Sequence, residues 1–149
     1  MSLVKIRDIV TEDQTAWRRL WTGYCDFYRT ALSPAVIEST WARIVDPQSA
    51  FVGRIAELDD EVAGFSLSVI HECSWTIAPV CYLEDLYVKP DARGRGVGLA
   101  LLEDIIRLSR QNAWARVYWN TEADNASARR LYDRFSQADG FVRYRLYLD

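Results

Sequence analysis

The sequence predicts a mixed α/β domain, and three observations carry that prediction. Short strand-like runs alternate along the chain with runs whose apolar residues recur every three or four positions. A glycine-rich turn, Arg93-Gly94-Arg95-Gly96-Val97-Gly98, sits between a strand-like run, Tyr82-Leu83-Glu84-Asp85-Leu86-Tyr87-Val88, and a helical one. The 149 residues, half of them hydrophobic and 26% charged, suffice for one domain with a real core, spanning 1–149, and are too few for two ordinary domains.

The elements follow in order. Residues 3–9 alternate as a short strand. Thr11-Glu12-Asp13 opens a helix on which Trp17, Leu20, Trp21, Tyr24, Phe27 and Tyr28 recur at helical spacing. Ser33 as N-cap and Pro34 at the first position start a second helix, with Val36, Ile37, Trp41 and Ile44 as its apolar set and Asp46-Pro47 as its stop. Residues 51–58 and 61–73 read as strands joined into a hairpin at Asp59-Asp60. A loop at 75–79 leads to a strand at 81–88. The glycine turn then opens a helix at Gly98, running to Arg110 with Leu101, Leu102, Ile105, Ile106 and Leu108 on a broad apolar face. A strand at 115–121, a helix at 125–135 and a final strand at 141–148 with alternating aromatics complete the order.

Composition narrows the function. A net charge of −3 argues against a nucleic-acid-binding module, which needs a basic face, and is mildly compatible with a cationic substrate. Cys25, Cys73 and Cys81 form no CxxC, and with His71 as the one histidine no metal-ligand set is expected. Reduced thiols fit a cytoplasmic protein. No basic leader before an apolar segment is visible, and no apolar run is long enough to span a bilayer. Six Trp and eight Tyr are many for this length and can serve as core or line a pocket.

The glycine turn is the chemical signal. Such a turn leaves backbone N–H groups converging on one spot, where the helix dipole adds partial positive charge, so a diphosphate fits. Three cofactor classes compete. A P-loop needs Lys and Ser/Thr after its last glycine, whereas Leu99 and Ala100 follow Gly98. A dinucleotide fingerprint needs G-x-G-x-x-G, and Leu99 occupies its third glycine position, although Glu122 lies roughly where a ribose-binding acid would. The third class is coenzyme A. Arg93-x-x-Gly96-x-Gly98 resembles the [Gln/Arg]-x-x-Gly-x-[Gly/Ala] loop of the GNAT acyltransferases. Leu86-Tyr87-Val88-Lys89-Pro90 is similar to that family's strand end before the loop. Asn125-Ala126-Ser127-Ala128-Arg129-Arg130-Leu131-Tyr132, then Gly140-Phe141, resembles its N-x-x-A-x-x-L-Y…G-F segment. The order of elements can be laid on the family over the whole chain. The run 82–88, with Val117-Tyr118-Trp119-Asn120-Thr121 and Tyr24-x-x-Phe27-Tyr28, looks most like the histone and polyamine acetyltransferase branch.

That resemblance implies the GNAT fold, a mixed, mostly antiparallel sheet flanked by helices. It implies acetyl-CoA as cofactor and direct transfer of acetyl to a primary amine, in a polyamine or lysine-like molecule. It also implies a homodimer or larger assembly. Gly94, Arg95, Gly96, Val97 and Gly98 with Arg93 would hold the pyrophosphate, and Leu86, Tyr87 and Val88 would offer backbone groups to the pantetheine arm. Tyr132 would be the general acid, with helix packing as its alternative role, and Asn125 would cap its helix, reach the coenzyme, or both.

Glu84 is the candidate base. Period-two alternation puts it on a face with Tyr82, Leu86 and Val88 and turns Asp85 the other way. Asp85 is then an acceptor-binding residue or half of a structural ion pair. Trp21, Tyr24 and Tyr28 would border the acceptor through cation–π contact, or be helix core. His71 is read as a strand-end residue rather than a base. Two other functions remain open: acetylation of another small amine, such as an amino acid or drug, and coenzyme binding without transfer.

Overall fold

The computed structural model describes residues 3–148, which divide into two compact units, one ending at Trp119 and one starting at Asn120. The first carries β1 (Val4–Asp8), α1 (Gln14–Phe27), α2 (Pro34–Val45), β2 (Phe51–Leu58), β3 (Glu61–His71), β4 (Val80–Val88), α3 (Val97–Gln111) and β5 (Val117–Tyr118); the second carries α4 (Ala126–Tyr132). The strands form one sheet in the order β1-β2-β3-β4-β5. The first three pairings are antiparallel and β4–β5 is parallel.

The helices form where the sequence caps them. Asp13 ends a single 3-10 turn ahead of α1. Its carboxylate accepts the Val10 N–H at 2.8 Å and the Arg7 guanidinium at 2.8 and 2.9 Å, which fixes the entry of the helix. Ser33 Oγ accepts the Val36 N–H at 3.3 Å, with Pro34 opening α2. At the β2–β3 turn, Asp59 and Asp60 both take positive φ, 52° and 68°, the two-residue geometry whose twist suits a hairpin.

Each face of the sheet has its own core. Trp17, Trp21, Trp41, Ile44, Ile55 and Phe65 pack on the α1/α2 side, with Leu67 and Tyr87. Ala56, Leu58, Ala63, Val97 and Leu101 pack on the other. Burial of each large side chain contributes about 1.5–3 kcal/mol. Arg54 of β2 is buried between Asp104 of α3, at 2.8 and 3.0 Å, and Asp8, which clamps helix to sheet.

Two expected strands differ. The strand expected at 115–121 is only Val117–Tyr118, because β5 leaves β4 after two pairs, Cys81↔Val117 and Tyr82↔Tyr118. The strand expected at 141–148 does not form: within the described residues this run pairs with no strand, and Phe141, Val142, Tyr144 and Leu146 are exposed. Alternation specifies a strand only where a ladder partner and a face to cover are both present.

Candidate functional site

The glycine turn closes on α3 one residue earlier than expected. Gly96 is the N-cap at φ 85°, Gly94 has φ 76°, and the helix begins at Val97. Both angles lie in the left-handed region that glycine enters without penalty. A Cβ at either position would meet nothing within 4 Å, so the chain itself leaves the space over the turn open. Ala100 N–H closes the first helical turn on the Gly96 carbonyl at 3.0 Å. The N–H groups of Val97, Gly98 and Leu99, ahead of it, have no acceptor available within the helix. An open turn at the N-terminus of a fifteen-residue helix fits a diphosphate. The two arginines are partly engaged already. Arg93 Nε donates to the Val88 carbonyl at 3.0 Å and its guanidinium lies over the Phe27 and Tyr87 rings. Arg95 donates to Asp59 at 2.8 Å and ties the turn to the β2–β3 hairpin.

The outer edge of β4 opens beside this turn. Lys89 N–H donates to Ala63 on the β3 side, so strand alternation turns the main-chain groups of Leu86 and Val88 to the opposite edge. The two-pair ladder with β5 stops at Tyr82, leaving that edge splayed from Leu83 onward. The splay supplies donors and acceptors of the kind an amide-bearing arm requires.

A β-bulge changes which β4 side chains act together. Leu67 pairs with Asp85 and Ser68 with Leu83, so Glu84 is the extra residue. The register puts Tyr82, Asp85 and Tyr87 opposite Val69, Leu67 and Phe65, all on one face. The alternation expected from sequence, with Tyr82 and Asp85 on opposite faces, is therefore corrected by the bulge. Glu84 is solvent-exposed. Asp85 is 8% exposed and accepts a hydrogen bond from the Tyr24 hydroxyl of α1. Burial pushes the Asp85 carboxyl up to about 7; the Tyr24 hydrogen bond opposes that rise and the Glu84 charge adds to it. The Tyr24 hydroxyl is itself raised, by burial first and then by the Asp85 charge.

The aromatic residues expected at the acceptor form a graded stack. Trp21, 6% exposed, stacks on Trp17 and on Tyr24 at 5.3 and 5.1 Å, and Tyr24 meets Tyr28 at 4.9 Å. Trp21 lies in the core, while Tyr28 reaches solvent. Sequence reasoning gave no role to Tyr118 or Arg116. Tyr118 stacks on Tyr82 at 4.8 Å, and its hydroxyl lies 2.8 Å from His71 Nε2 at the end of β3. The strand expected at 115–121 gave no signal for either, because their partners, Tyr82, His71 and Cys73, are distant in sequence.

In the second unit, Asn125 caps α4, its side chain accepting the Ala128 N–H at 3.2 Å. Tyr132 is the last residue of that helix and is half-buried. Among the described residues no cluster of His, Cys, Asp or Glu could hold a metal ion, and no helix is long and apolar enough to cross a membrane.

An open glycine turn at a helix N-terminus, beside a splayed parallel strand pair, defines a site for a diphosphate-bearing carrier with an amide arm. Residues 8–136 match the model of the acetyltransferase (GNAT) family, and the chain belongs to that family. It is an N-acetyltransferase, of a family that uses acetyl-CoA. The chain is 33% identical over 145 residues to the D-amino-acid N-acetyltransferase HPA3 of Saccharomyces cerevisiae, covering 95% of this chain and 89% of that one. A crystal structure of a probable acetyltransferase superposes with a TM-score of 0.84 at 23% identity, covering 97% of this chain and 98% of the other. The structure of AAC(6')-Iy, bound to the bisubstrate analogue CoA-S-monomethyl-acetylneamine, gives a TM-score of 0.82 at 20% identity, covering 98% and 99%. These likenesses bear out the expected mixed, mostly antiparallel sheet with flanking helices as the GNAT fold.

Proposed function

We propose that this protein transfers the acetyl group of acetyl-CoA directly to a primary amine of a small polyamine-like or lysine-like molecule. The observation that carries this reading is the buried Asp85–Tyr24 pair beneath an exposed Glu84, on a face that also carries the Tyr82 ring. Carboxylates and aromatic rings attract an alkylammonium, whose pKa near ~10.4 requires that it lose a proton before it can attack. The named substrate of the yeast relative, a D-amino acid, is also an amine.

In this reading the coenzyme supplies an acetyl thioester, whose carbonyl carbon bonds to the amine nitrogen as the carbon–sulfur bond breaks. The N–H groups of the turn from Arg93 to Gly98 hold the pyrophosphate, with Gly94, Gly96 and Gly98 allowing close approach, and Arg95 keeps the turn in place. Leu86 and Val88 direct main-chain groups at the carrier arm, the Val88 N–H polarising the carbonyl, while Tyr87 between them, expected to do the same, keeps its main chain toward β3. Glu84 takes the ammonium proton through water, while Asp85, ionised above about pH 7, and the ring of Tyr28 hold the cation, Tyr24 and Trp21 standing behind them. Tyr132 gives its hydroxyl proton to the departing thiolate and is reprotonated by the proton that the new amide nitrogen sheds, and Asn125 holds the start of its helix. The chain 1–149 is a single catalytic domain in the cytoplasm, and the exposed apolar run 141–148 is covered by a second copy in a homodimer.

A thiol-release assay across a panel of primary amines tests the activity. Turnover with amines, lowered in kcat by Tyr132→Phe with acetyl-CoA affinity kept, is expected. Tight acetyl-CoA binding with no turnover on any amine would replace this reading with that of a non-catalytic coenzyme-binding module.

A further inference from the structure

The face that presents Asp85 continues past Tyr82 to a cationic corner that the acetyl-transfer reading does not use. Tyr118 lies across from Tyr82, and Arg116, two residues earlier, shares its side of the strand. The Arg116 guanidinium lies over the Tyr118 ring, 5.5 Å from its centroid, with Nη2 3.6 Å from Cys73 Sγ. Among the described residues it makes no ion pair with a carboxylate.

The rest of the corner fixes the ring beneath the guanidinium. His71 Nδ1 lies 2.7 Å from the Glu72 carbonyl, which can only accept, so Nδ1 carries the proton. His71 Nε2 lies 2.8 Å from the Tyr118 hydroxyl oxygen, within hydrogen-bond reach. Tyr118 is thereby held as a platform beneath Arg116.

Two ends of opposite charge therefore share one sheet face. Asp85 stands at one end with the exposed bulge residue Glu84 next to it in the chain, Arg116 stands at the other, and the stacked rings of Tyr82 and Tyr118 lie between them. At about 3.3 Å per strand residue, the two or three residues separating Tyr82 from the acids span about 7–10 Å. A polyamine would find its cation partners at one end and an uncompensated guanidinium at the other.

We propose that the acceptor is an amine separated by several bonds from a carboxylate, as the ε-amine of lysine is, with the carboxylate bound by Arg116 over Tyr118 and the amine toward Glu84 and Asp85. This rests on the amine acetyltransferase reading and narrows it to a substrate class. Arg116 is a specificity residue: it contacts the far end of the acceptor and takes no part in proton transfer.

Matched acceptors with and without the carboxylate test it, in the same thiol-release assay: lysine against cadaverine, and 6-aminohexanoate against pentylamine. The amino acid of each pair should have the higher kcat/KM. Arg116→Gln should lower the ratio of kcat/KM for the amino acid to that for its decarboxylated partner by about 10- to 100-fold, the loss expected for a charge-assisted hydrogen bond. Arg116→Lys should recover part of that ratio. Arg116 is exposed, so an unchanged melting temperature serves as the folding control. Equal or better turnover of the decarboxylated amines, or an unchanged ratio in Arg116→Gln, overturns the substrate class and leaves the amine acetyltransferase standing. No turnover with any member of either pair, alongside retained acetyl-CoA binding, overturns both.

Discussion

Replacing Asp85 by Asn should change how stability depends on pH more than it changes stability at any one pH. The folded chain holds the Asp85 proton up to about pH 7, against an ordinary value of 3.8. The unfolded chain releases that proton near pH 4. The contribution of this group to stability is therefore complete below about pH 4 and is lost as pH rises through about 7. A difference of about three pH units corresponds to about 4 kcal/mol in all, of which about 2.5 kcal/mol falls between pH 5 and 7.5. Asparagine carries no charge, and its amide oxygen still accepts from Tyr24, so the variant should lack this slope. Urea unfolding followed by tryptophan fluorescence, at several pH values on both proteins, gives the double difference. The slopes from other carboxylates, such as Asp13 held low by Arg7, cancel in that difference. If the stability gap between the two proteins stays constant from pH 5 to 7.5, Asp85 is not a buried proton-holding group and the geometry argued for it is wrong.

Three further substitutions test neighbouring parts of the structure. Tyr24→Phe removes the hydroxyl that Asp85 accepts and should cost about 1.5–3 kcal/mol at pH 8 but less at pH 5, where the carboxyl is protonated; urea unfolding at both pH values reads it. Asp104→Ala leaves Arg54 buried with only Asp8 as partner and should cost about 3–5 kcal/mol, a fall in Tm on the order of 10 °C by calorimetry. Gly96→Ala forces a side chain to φ 85°, at about 1 kcal/mol of stability, while its methyl group enters the open space over the turn. Acetyl-CoA affinity by isothermal titration should therefore fall by more than that strain alone explains.

What could be read from the sequence was what local chemistry specifies. Ser33 and Pro34 start α2 where capping rules place them, and Asp59-Asp60 turns the hairpin as a two-residue loop must. The glycine turn was legible because positive φ at Gly94 and Gly96 has few chemical solutions. What depends on partners was not legible. The 141–148 run alternates like a strand, yet alternation does not say whether a ladder edge is there to receive it. Tyr118 and Arg116 matter through what lies across from them, Tyr82 and His71, and neither neighbour is near in sequence. The faces of β4 were misassigned for one reason: period two holds until a residue is inserted, and no local signature marks Glu84 as the insertion.

That insertion has a consequence that runs against the usual rule for strands. Deleting one residue from a regular strand moves every side chain beyond it to the wrong face, which a two-sided core does not tolerate. Glu84, however, is already outside the alternation, since Leu83 pairs with Ser68 and Asp85 with Leu67. Removing it would join Leu83 to Asp85 in an unbroken ladder. Tyr82, Asp85 and Tyr87 would keep their face, and Leu83 would keep its place opposite Ser68. Deletion of Glu84 should then cost no more than an ordinary substitution, about 1 kcal/mol, while deletion of Tyr82 should prevent folding, since the residues before it would all turn over. Circular dichroism and thermal melting of the two deletions decide the matter. If the Glu84 deletion is as damaging as the Tyr82 deletion, the bulge is holding the faces of β4 apart rather than merely carrying an extra carboxylate. If it folds and binds acetyl-CoA but acetylates amines poorly, the bulge serves the chemistry: it lifts one acid into solvent without disturbing the strand beneath it.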